Sequence, residues 1–523
     1  MNIVFPEFPR KMPIGIQSFE YLRRNDFVYV DKTALVFRLV TMGKPYFLSR
    51  PRRFGKSLLL STLEAYFLGK RDLFRGLAIE QFETEWAEHA VIHLSLNAER
   101  YDSRQSLVNM LEYQLQEWER IYGTSGNATS YSTRFMDVIK NAYKRTGRGV
   151  VVLIDEYDKP LLRNFGNPEL QNDFREILTA FYTVLKDADP WLRFVFITGV
   201  TKFAQMGIFS NLNKLNDISY DVDYATLCGL TLPEIEATFA PELRLLAEAN
   251  CQTYEETVAR LTRQYDGYHF TWGNVPGMFN PFSVLSVLAK RRYENYWFAT
   301  GTPTFLIDML RATDYDLREL DGVRVLAASL SDDRADSCNP VPMIYQSGYL
   351  TIKDYDERFR EYVLGFPNDE VRYGFLNFIT PFYTPVSESQ TAFYIGKFTK
   401  ELEAGDVDAF LTRMRAFFAD IPYELNDRTE RHYQVIFYLI FKLMGQFTDA
   451  EVRSTRGRAD AVVKTADTVY VFEFKLGGTA EEALAQITDR GYLIPYTADN
   501  RRLVKAGVGF SASERNIDSW IIE

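Results

Sequence analysis

Cysteine and histidine are scarce in this sequence of 523 residues, which contains three cysteines and four histidines. Cys228, Cys251 and Cys338 lie far apart in the sequence, without a Cys-x-x-Cys motif or a neighbouring histidine cluster. This pattern excludes a disulfide-rich fold and argues against a zinc site built from thiolates and imidazoles. It is typical of a protein of the reducing cytoplasm.

Long apolar segments are missing as well. The first 15 residues lack the apolar core of a secretory signal peptide. The longest apolar run, from Val435 to Met444, is interrupted by Lys442 and is too short to cross a bilayer. We therefore expect a cytoplasmic protein that has no membrane among its partners.

A positive net charge, which general nucleic-acid-binding proteins usually carry, is also absent. The 60 Lys and Arg against 70 Asp and Glu give a formal net charge of −10. Residues 1–75 contain 14 basic and 6 acidic side chains, whereas residues 424–523 contain 13 and 15. The basic excess lies near the N-terminus, so the sequence does not predict tight, non-specific DNA binding by the C-terminal part alone.

The first 225 residues alternate short apolar runs with helical segments. The apolar runs have the length of buried strands and cover residues 45–49, 90–95, 149–154 and 193–198. Helical segments, such as 57–68 and 105–122, separate them. Strands spaced by helices predict a parallel sheet with helices on both faces, and we assign residues 1–225 to this domain.

A candidate phosphate-binding loop follows the first of these runs. Gly55, Lys56 and Ser57 match the end of the P-loop motif, in which the lysine contacts the β- and γ-phosphates and the serine binds Mg²⁺. The helix that follows would direct backbone N–H groups and its positive dipole end at the anion. The motif has a glycine six residues before its lysine, where this chain has Arg50. Taken alone, the segment could equally be a basic turn before a helix.

An acidic strand end strengthens the prediction of a nucleotide site. The apolar run at 150–154 ends in Asp155 and Glu156, which would bind Mg²⁺ and position a water molecule, respectively. By themselves these acids could simply cap the next helix. Together with the loop they predict nucleotide binding, and Arg53 and Phe54 complete the candidate cofactor-binding segment.

A neighbouring strand, at residues 193–198, is also followed by polar residues. Thr198, Thr201 and Lys202 would lie at its end, near the γ-phosphate, and are candidates to sense it. Ordinary polar residues at a strand end are an equally good interpretation of each one.

The middle of the chain is expected to be mainly helical. Residues 226–385 contain a helix start at Thr231, a β-hairpin between Tyr345 and Phe366, and a helix after Pro367. Helices followed by a hairpin predict a helical lid and a winged-helix-like region.

The last part of the sequence predicts a second α/β domain. Residues 386–424 indicate a helical connector, and residues 425–523 a compact domain. Within it, Glu473 and Lys475 lie two residues apart on a predicted strand and therefore point to the same face. Asp460 stands at the head of the adjacent strand.

These residue types suit metal-assisted cleavage of a phosphodiester. Asp460 and Glu473 supply hard oxygen ligands for Mg²⁺ or Mn²⁺, and Lys475 would neutralise negative charge or orient the nucleophile. Two predicted helices frame the strands and carry Glu430, a further candidate metal ligand, and Gln486, a candidate catalytic residue.

A structural alternative exists for this group of residues. Glu473 and Lys475 could form a salt bridge on a half-buried hairpin, with Phe472 and its neighbours of the same face in the core. The addition of Asp460 and Gln486 favours the nuclease-like interpretation. His432, a lone histidine beside the candidate ligand, is expected to serve packing or to lie on the surface.

Several segments together resemble the bacterial AAA-ATPase-like proteins that carry a C-terminal PD-(D/E)xK nuclease domain. In the N-terminal part they are Asp31-Lys-Thr, the loop from Leu48 to Ser57, Leu153-Ile-Asp-Glu-Tyr-Asp, Tyr268-His-Phe and Asn280-Pro-Phe-Ser. An arginine-rich loop is usual in that group, which makes Arg50 a smaller departure. The order of the C-terminal candidates resembles the PD-(D/E)xK superfamily, although Ala459 stands where the proline of that name is expected.

The resemblance implies a P-loop NTPase domain, a restriction-endonuclease-like α/β domain, and ATP as the nucleotide. We expect an ATP-binding protein with a Mg²⁺-dependent nuclease that acts on nucleic acid, with DNA as the expected substrate and defence or DNA processing as the setting. A homo-oligomer is compatible with this function. The alternative is a nucleotide-driven switch whose C-terminal domain binds nucleic acid or protein without cleaving it.

Overall fold

The structure is a computed structural model of the chain. It describes residues 10–164, 166–202, 215–298, 305–313, 315–331, 339–384, 386–420, 430–452, 460–498, 500–511 and 513–523. The chain divides into two compact units. The first consists of Met1–Tyr315 with Gly322–Glu370, and the second of Asp316–Asp321 with Val371–Glu523.

The first unit contains a five-stranded parallel sheet. Its strands are β1 (Pro45–Ser49), β2 (Val91–Ser95), β3 (Val150–Asp155), β4 (Leu192–Gly199) and β5 (Asn216–Asp217), in the order β2-β3-β4-β1-β5. All six residues of β3 are buried, and this strand is apolar up to its final aspartate because a central parallel strand is covered on both faces. The predicted parallel sheet is therefore confirmed.

Helices cover both faces of this sheet. They are α1 (Phe19–Arg24), α2 (Thr33–Met42), α3 (Lys56–Phe67), α4 (Arg104–Tyr122), α5 (Tyr131–Thr146), α6 (Lys159–Arg163) and α7 (Pro168–Asp187). On one face, Ile154 and Val195 of the sheet belong to an apolar cluster with residues of α4, α5 and α7. On the other, Phe194 of β4 packs against Phe67 of α3 with ring centroids 5.1 Å apart. Because successive residues of a strand point to opposite faces, Phe194 and Val195 lie on opposite faces of β4, and the helices they contact therefore cover both faces of the sheet.

The rest of the first unit is mainly helical, as predicted. Its helices are α8 (Leu232–Ala249), α9 (Tyr254–Tyr265), α10 (Pro281–Lys290), α11 (Phe305–Ala312) and α12 (Val341–Gln346). Thr231 and Glu234 form a capping box at the start of α8, which the sequence indicated. An antiparallel sheet follows in the order β6-β8-β7, formed by β6 (Val323–Leu326), β7 (Thr351–Asp356) and β8 (Glu361–Gly365).

The predicted hairpin begins later than its sequence suggested. Tyr345 lies in α12, and the first strand of the hairpin starts only at Thr351. The prediction was wrong at this boundary because a short, buried apolar helix and a buried strand have similar sequences. Gly348, with a φ of 91°, turns the chain between the two elements in a conformation that favours glycine.

The second unit is built on a mixed five-stranded sheet. Helix α13 (Asp369–Ile379) begins in the first unit and continues into the second, and it is followed by α14 (Glu388–Glu403), α15 (Val407–Ala419), α16 (Glu430–Met444) and α17 (Ala480–Asp489). The strands are β9 (Asp449–Val452), β10 (Ala461–Lys464), β11 (Thr468–Leu476), β12 (Arg502–Ser511) and β13 (Asn516–Ile522). Their order is β13-β12-β11-β10-β9, with β11 and β12 parallel and all other pairs antiparallel.

Aromatic side chains form the core on one face of this sheet. Phe472 of β11 packs against Phe410 of α15 and Phe441 of α16, with ring centroids 5.4 and 5.5 Å apart. Helix α15, which lies in the segment predicted as a connector, therefore contributes to this core. On the other face, Val471 packs with Ile487 of α17.

These two sheets, one parallel and one mixed, confirm the predicted α/β class. Throughout the portion of the chain that is described, no helix combines the length and the apolar character that crossing a membrane requires.

Candidate nucleotide site and candidate nuclease site

The candidate phosphate loop connects β1 to α3. Gly55 is the N-cap of α3 and has a φ of 90°, a left-handed conformation that a residue with a side chain adopts only with strain. The helix begins immediately afterwards at Lys56, so that the unpaired N–H groups of its first turn lie at the end of the loop. This is the strand–loop–helix geometry required by an anion at a helix N-terminus.

Lys56 is folded back onto the loop. Its Nζ atom donates to the carbonyl oxygens of Arg50 at 2.9 Å and Pro51 at 3.1 Å, and the residue is buried. Burial lowers the pKa of Lys56, whereas the nearby carboxylates of Glu156 and Asp155 favour its charged form. The ammonium group is thus held inside the loop, where phosphate oxygens can replace two neutral carbonyl groups as its partners.

Ser57 and Asp155 meet beside this lysine. The Ser57 Oγ atom donates to Asp155 Oδ2 at 2.7 Å, which joins the start of α3 to the end of β3. The second carboxylate oxygen, Oδ1, is buried and has no hydrogen-bond partner among the described residues. An unpaired buried carboxylate oxygen next to a hydroxyl group fits the ligand preference of Mg²⁺.

Glu156 follows Asp155 in a strained backbone conformation. Its φ of 52° is rare for a residue with a side chain, and its carboxylate is 30% exposed. Burial raises the pKa of Glu156, and the charges of Lys56 and Lys159 oppose this effect. Strain of this kind is often found where a side chain must be aimed at a reacting group.

Lys159 and Asn97 were not predicted as site residues. Lys159 Nζ lies 3.7 Å from Glu156 Oε2, and it donates to the backbone and side-chain oxygens of Asn97 at 2.7 and 2.8 Å. Asn97 follows β2, which is the neighbour of β3 in the sheet. The sequence could have indicated them in only one way: Asn97 and Lys159 each follow a predicted strand, and the carboxyl ends of neighbouring parallel strands meet at the same edge of a sheet.

The polar residues at the end of β4 have partners within the protein. Thr198 Oγ1 donates to the carbonyl oxygen of Leu48 at 2.8 Å. Thr201 donates through both its backbone N–H and its hydroxyl to Asp158 Oδ2, at 2.7 Å each. Lys202 Nζ lies 2.6 Å from an oxygen of the Asp217 carboxylate. All three candidate residues, Thr198, Thr201 and Lys202, are therefore bound to other groups of the protein.

Arg50 replaces the first glycine of the P-loop motif with a buried guanidinium. Its Nη1 atom donates to the carbonyl oxygen of Ser219 at 2.8 Å, and the group lies 4.1 Å from the ring centroid of Phe270. Phe54 packs against the same ring at 5.3 Å and is therefore a core residue. Arg53 is exposed, although its guanidinium lies over a phenyl ring.

The candidate nuclease residues meet at the end of the β10–β11 pair. Ala461 of β10 is paired with Phe472 of β11, so that Asp460 and Glu473 lie next to each other just beyond this pair. The backbone N–H of Phe474 donates to Asp460 Oδ2 at 2.9 Å, and the N–H of Asp460 donates to Glu473 Oε2 at 3.3 Å. Only 3% of the Glu473 side chain is exposed. Burial, and secondly the Asp460 carboxylate, raise the pKa of Glu473 to about 7.

Gln486 connects Glu473 to Lys475. Its Nε2 atom donates to Glu473 Oε1 and to the Tyr492 hydroxyl oxygen, the latter at 3.2 Å. Its Oε1 atom accepts from Lys475 Nζ, which also lies 3.7 Å from Glu473 Oε1. All three predicted side chains are therefore in contact, and the amide fixes the spacing between the carboxylate and the ammonium group.

Glu430 is the first residue of α16, and its side chain lies outside the described part of the structure, as does the segment 453–459 that precedes Asp460. Within the described residues, no group of three or more His, Cys, Asp or Glu side chains is arranged to hold a metal ion. The carboxylate pair of Asp460 and Glu473 is what the structure brings together. Two adjacent carboxylates, of which Glu473 is buried, repel each other, and this repulsion fits a divalent cation as their partner.

Both candidate sites lie in regions of the chain that match models of known protein families. Residues 13–209 match the family model described as predicted AAA-ATPase, and residues 428–520 match the PD-(D/E)XK nuclease superfamily. A protein described as "Uncharacterized protein in vnfD 5'region", from Azotobacter chroococcum mcd 1, is 36% identical over 525 residues. The alignment covers 98% of this chain and 99% of that protein.

The chain belongs to the AAA-ATPase-like proteins with a C-terminal PD-(D/E)XK nuclease superfamily domain. The AAA-ATPase-like match contains the phosphate loop and the acidic end of β3, and the nuclease-superfamily match contains the carboxylate pair and Gln486. The resemblance in the sequence is thereby confirmed.

Proposed function

We propose that this AAA-ATPase-like protein binds ATP at its phosphate loop and cleaves nucleic acid at the carboxylate pair, with ATP controlling the cleavage. The observation that carries the proposal is the continuous contact of Glu473, Gln486 and Lys475 beside Asp460. A simple salt bridge would need only two of these four side chains. DNA is the proposed substrate, and defence or DNA processing the proposed setting.

At the ATP site, each side chain has a distinct proposed role. Lys56 neutralises charge on the β- and γ-phosphates, and Ser57 and Asp155 would hold Mg²⁺, which when bound withdraws charge from the phosphate oxygens. Glu156 orients the attacking water and accepts its proton. Lys159, fixed by Asn97, keeps the Glu156 carboxylate in place. Arg53, exposed on the loop, is proposed to contact the nucleotide, and Thr198 is proposed to sense the γ-phosphate.

At the nuclease site, Asp460 and Glu473 would hold Mg²⁺ or Mn²⁺, with Glu430 as a further proposed ligand. The cation, when bound, supplies Lewis acidity for the scissile phosphate and lowers the pKa of a water molecule. Lys475 neutralises the charge that develops on the phosphate oxygens, and Gln486 orients both Lys475 and Glu473. The Lys475 side chain is 33% exposed and can reach a substrate, whereas Glu473 is buried.

We further propose that the four segments 1–225, 226–385, 386–424 and 425–523 serve as nucleotide module, lid with winged-helix-like region, connecting helices and nuclease module. Packing of Phe410, in α15, against Phe472 of β11 supports a role for the connecting helices in stabilising the sheet of the nuclease module.

The test is cleavage by the purified full-length protein. Supercoiled, linear and single-stranded DNA, and RNA, are incubated with Mg²⁺ or Mn²⁺, with and without ATP. We expect metal-dependent cleavage of DNA that disappears in EDTA and in Asp460→Asn. Cleavage that is equal in wild type and Asp460→Asn would come from a contaminant, and the proposal would then fail.

A further inference from the structure

The phosphate loop is held from outside by two side chains of the helical part of the first unit. The carbonyl oxygen of Arg52 accepts from Trp297 Nε1 at 3.2 Å and from Asn280 Nδ2 at 3.4 Å. The C=O and the following N–H of a trans peptide point in opposite directions. Fixing the Arg52 carbonyl therefore also fixes the direction of the Arg53 N–H, one of the loop donors closest to the start of α3.

Trp297 is itself held by a buried carboxylate. Its backbone N–H donates to Glu370 Oε1 at 2.8 Å, and its ring lies 5.1 Å from that of Tyr349. Ser283 donates through its hydroxyl to Glu370 Oε2 at 2.7 Å. Trp297, Ser283 and Glu370 are all buried. A buried carboxylate that accepts two hydrogen bonds fixes its donors firmly, because breaking either bond leaves a costly unpaired group.

Asn280 and Ser283 belong to the same short motif, Asn280-Pro-Phe-Ser283. Asn280 caps α10 by accepting from the N–H groups of Phe282 and Ser283, so both side chains have a fixed position on one helix end. Asn280 contacts the phosphate loop, and Ser283 contacts Glu370. The motif thus links the phosphate loop, which Asn280 contacts, to Glu370, which Ser283 contacts.

The contact between the loop and this region is also tight in van der Waals terms. A Cβ atom added to Gly348 would lie 2.6 Å from Cβ of Pro51 and 3.6 Å from the ring of Trp297. Pro51 therefore has little room to move towards Gly348, and the next carbonyl of the loop, that of Arg52, is the one that accepts from Trp297 and Asn280.

We propose that Trp297, Asn280 and Glu370 are positioning residues of the ATP site, which preset the phosphate loop, and that they link it to the first turn of α13. Glu370 lies in that turn, and the residues of α13 from Val371 onward belong to the second unit. The proposal rests on the proposed ATP site. It gives ATP a route by which to influence the helix that leads into the nuclease-bearing unit.

The first test is ATP affinity, measured by calorimetry on full-length protein. Trp297→Phe removes the Nε1 donor but keeps an aromatic ring, and Glu370→Gln removes one acceptor without changing shape. Each should weaken ATP binding roughly tenfold, because a loop that is preset only part of the time binds correspondingly less well. Trp118→Phe is the matched control. Trp118 of α4 is a buried tryptophan that packs against Phe135, and this variant should bind ATP with wild-type affinity.

A double-mutant cycle separates positioning from general destabilisation. Because Glu370 acts on the loop through Trp297 and, by way of Ser283, through Asn280, the loss of ATP affinity in the double variant should be smaller than the sum of the two single losses. Additive losses, or wild-type affinity in either single variant, would overturn the proposal. Should Trp297→Phe not fold, Asn280→Ser serves in its place, because serine retains the helix cap and lacks the amide donor. A wild-type protein that does not bind ATP would instead refute the proposed function, and this inference with it.

The second test follows from the reciprocity of linked equilibria. With saturating ATP, hydrogen exchange of peptides covering α13 should slow roughly fivefold or more in wild type, and this effect should be lost in Trp297→Phe. An equal change in both proteins would show that ATP reaches α13 without Trp297 and would overturn the link.

Discussion

Lys159 and Glu156 illustrate at the residue scale how the proposed ATP site is organised. Two of the donors of the Lys159 ammonium are used on Asn97, at 2.7 and 2.8 Å, and its charge remains 3.7 Å from the Glu156 carboxylate. The lysine is thus fixed independently of the glutamate. This arrangement allows it to orient Glu156 without contacting the nucleotide.

Substitution should separate these two roles. Glu156→Gln is expected to bind ATP normally and to lose roughly 10²- to 10⁴-fold in turnover, because the base is removed. Lys159→Met should lower kcat roughly 10- to 100-fold with little change in ATP affinity, since Glu156 is then less well placed. Lys159→Arg should recover part of the loss. Steady-state phosphate release and calorimetry measure both quantities, and a parental kcat in Lys159→Met would refute its role.

At the proposed nuclease site, substitutions should separate metal binding from cleavage. Glu473→Ala should weaken Mn²⁺ binding and abolish cleavage together, whereas Lys475→Ala should abolish cleavage and retain Mn²⁺. Calorimetry with Mn²⁺ and a cleavage assay provide the two readouts. Lys505→Ala, which removes a lysine paired with the C-terminal Glu523, is the control for loss of a positive charge. If both site variants lose stability but keep metal binding and cleavage, the group is a structural salt bridge.

The sequence predicted the members of these sites better than their partners. Lys56, Ser57 and Asp155 could be recognised because a motif and an apolar strand fix their positions along the chain. The contacts of Lys159 with Asn97 could not, because they depend on which strands are neighbours. The packing of Arg50 against Phe270, 220 residues further along the chain, likewise has no local signal.

At the scale of elements, β11 carries Glu473 and Lys475, candidate nuclease residues, on one face and Phe472, a core residue, on the other. Phe472 is fully buried between Phe410 and Phe441. Phe472→Ala should therefore cost roughly 3–5 kcal/mol in the free energy of unfolding, because it removes a ring and leaves a cavity. Chemical denaturation measures this loss. Phe393→Ala, at a position that is 60% exposed, should change stability by at most about 0.5 kcal/mol, and equal effects would contradict the assigned burial.

Helix α13 adds a dependence of stability on pH. Burial raises the pKa of Glu370 from 4.5 to about 7, and the hydrogen bonds that its carboxylate accepts from the Trp297 N–H and the Ser283 hydroxyl oppose this effect. Because the folded-state pKa is the higher one, the folded protein binds more protons. The stabilisation is complete below about pH 4.5 and is lost as the pH rises to about 7.

Glu370→Gln removes this titration. The stability of wild type relative to the variant should therefore decrease between pH 5 and 7.5, by up to roughly 3 kcal/mol for a shift of this size. Thermal unfolding of both proteins across this range gives the comparison. Parallel pH profiles would show that Glu370 is ionised with an ordinary pKa.

Elements were predictable where their pattern was long or bounded by a strong signal. The strands β1, β3 and β4 are apolar runs between helices, and the capping box at Thr231 marks the start of α8. Tyr345 was assigned to a strand because a six-residue buried helix has no visible period. Local patterns therefore define elements but not every boundary.

At the scale of the whole molecule, the chain forms two compact units, and neither unit is a single continuous stretch of the sequence. Residues Asp316–Asp321 belong to the second unit although the chain returns afterwards to the first. Arg318 of this segment donates to the side-chain oxygen of Gln434, in α16 of the same unit. No composition change marks such an excursion, because it is specified by tertiary contacts.

The most direct test of an ATP-linked nuclease compares DNA cleavage by wild type, Lys56→Ala and Glu473→Ala, with Mg²⁺ or Mn²⁺ and with or without ATP. Lys56→Ala should lose tight ATP binding but remain folded, since it deletes the buried charge that faces the phosphates. We expect wild type to cleave at rates that differ roughly fivefold or more with ATP, Lys56→Ala to cleave at one rate in both conditions, and Glu473→Ala not to cleave. Cleavage by Glu473→Ala at the wild-type rate, or an equal ATP response in wild type and Lys56→Ala, would contradict the proposal of an ATP-linked nuclease.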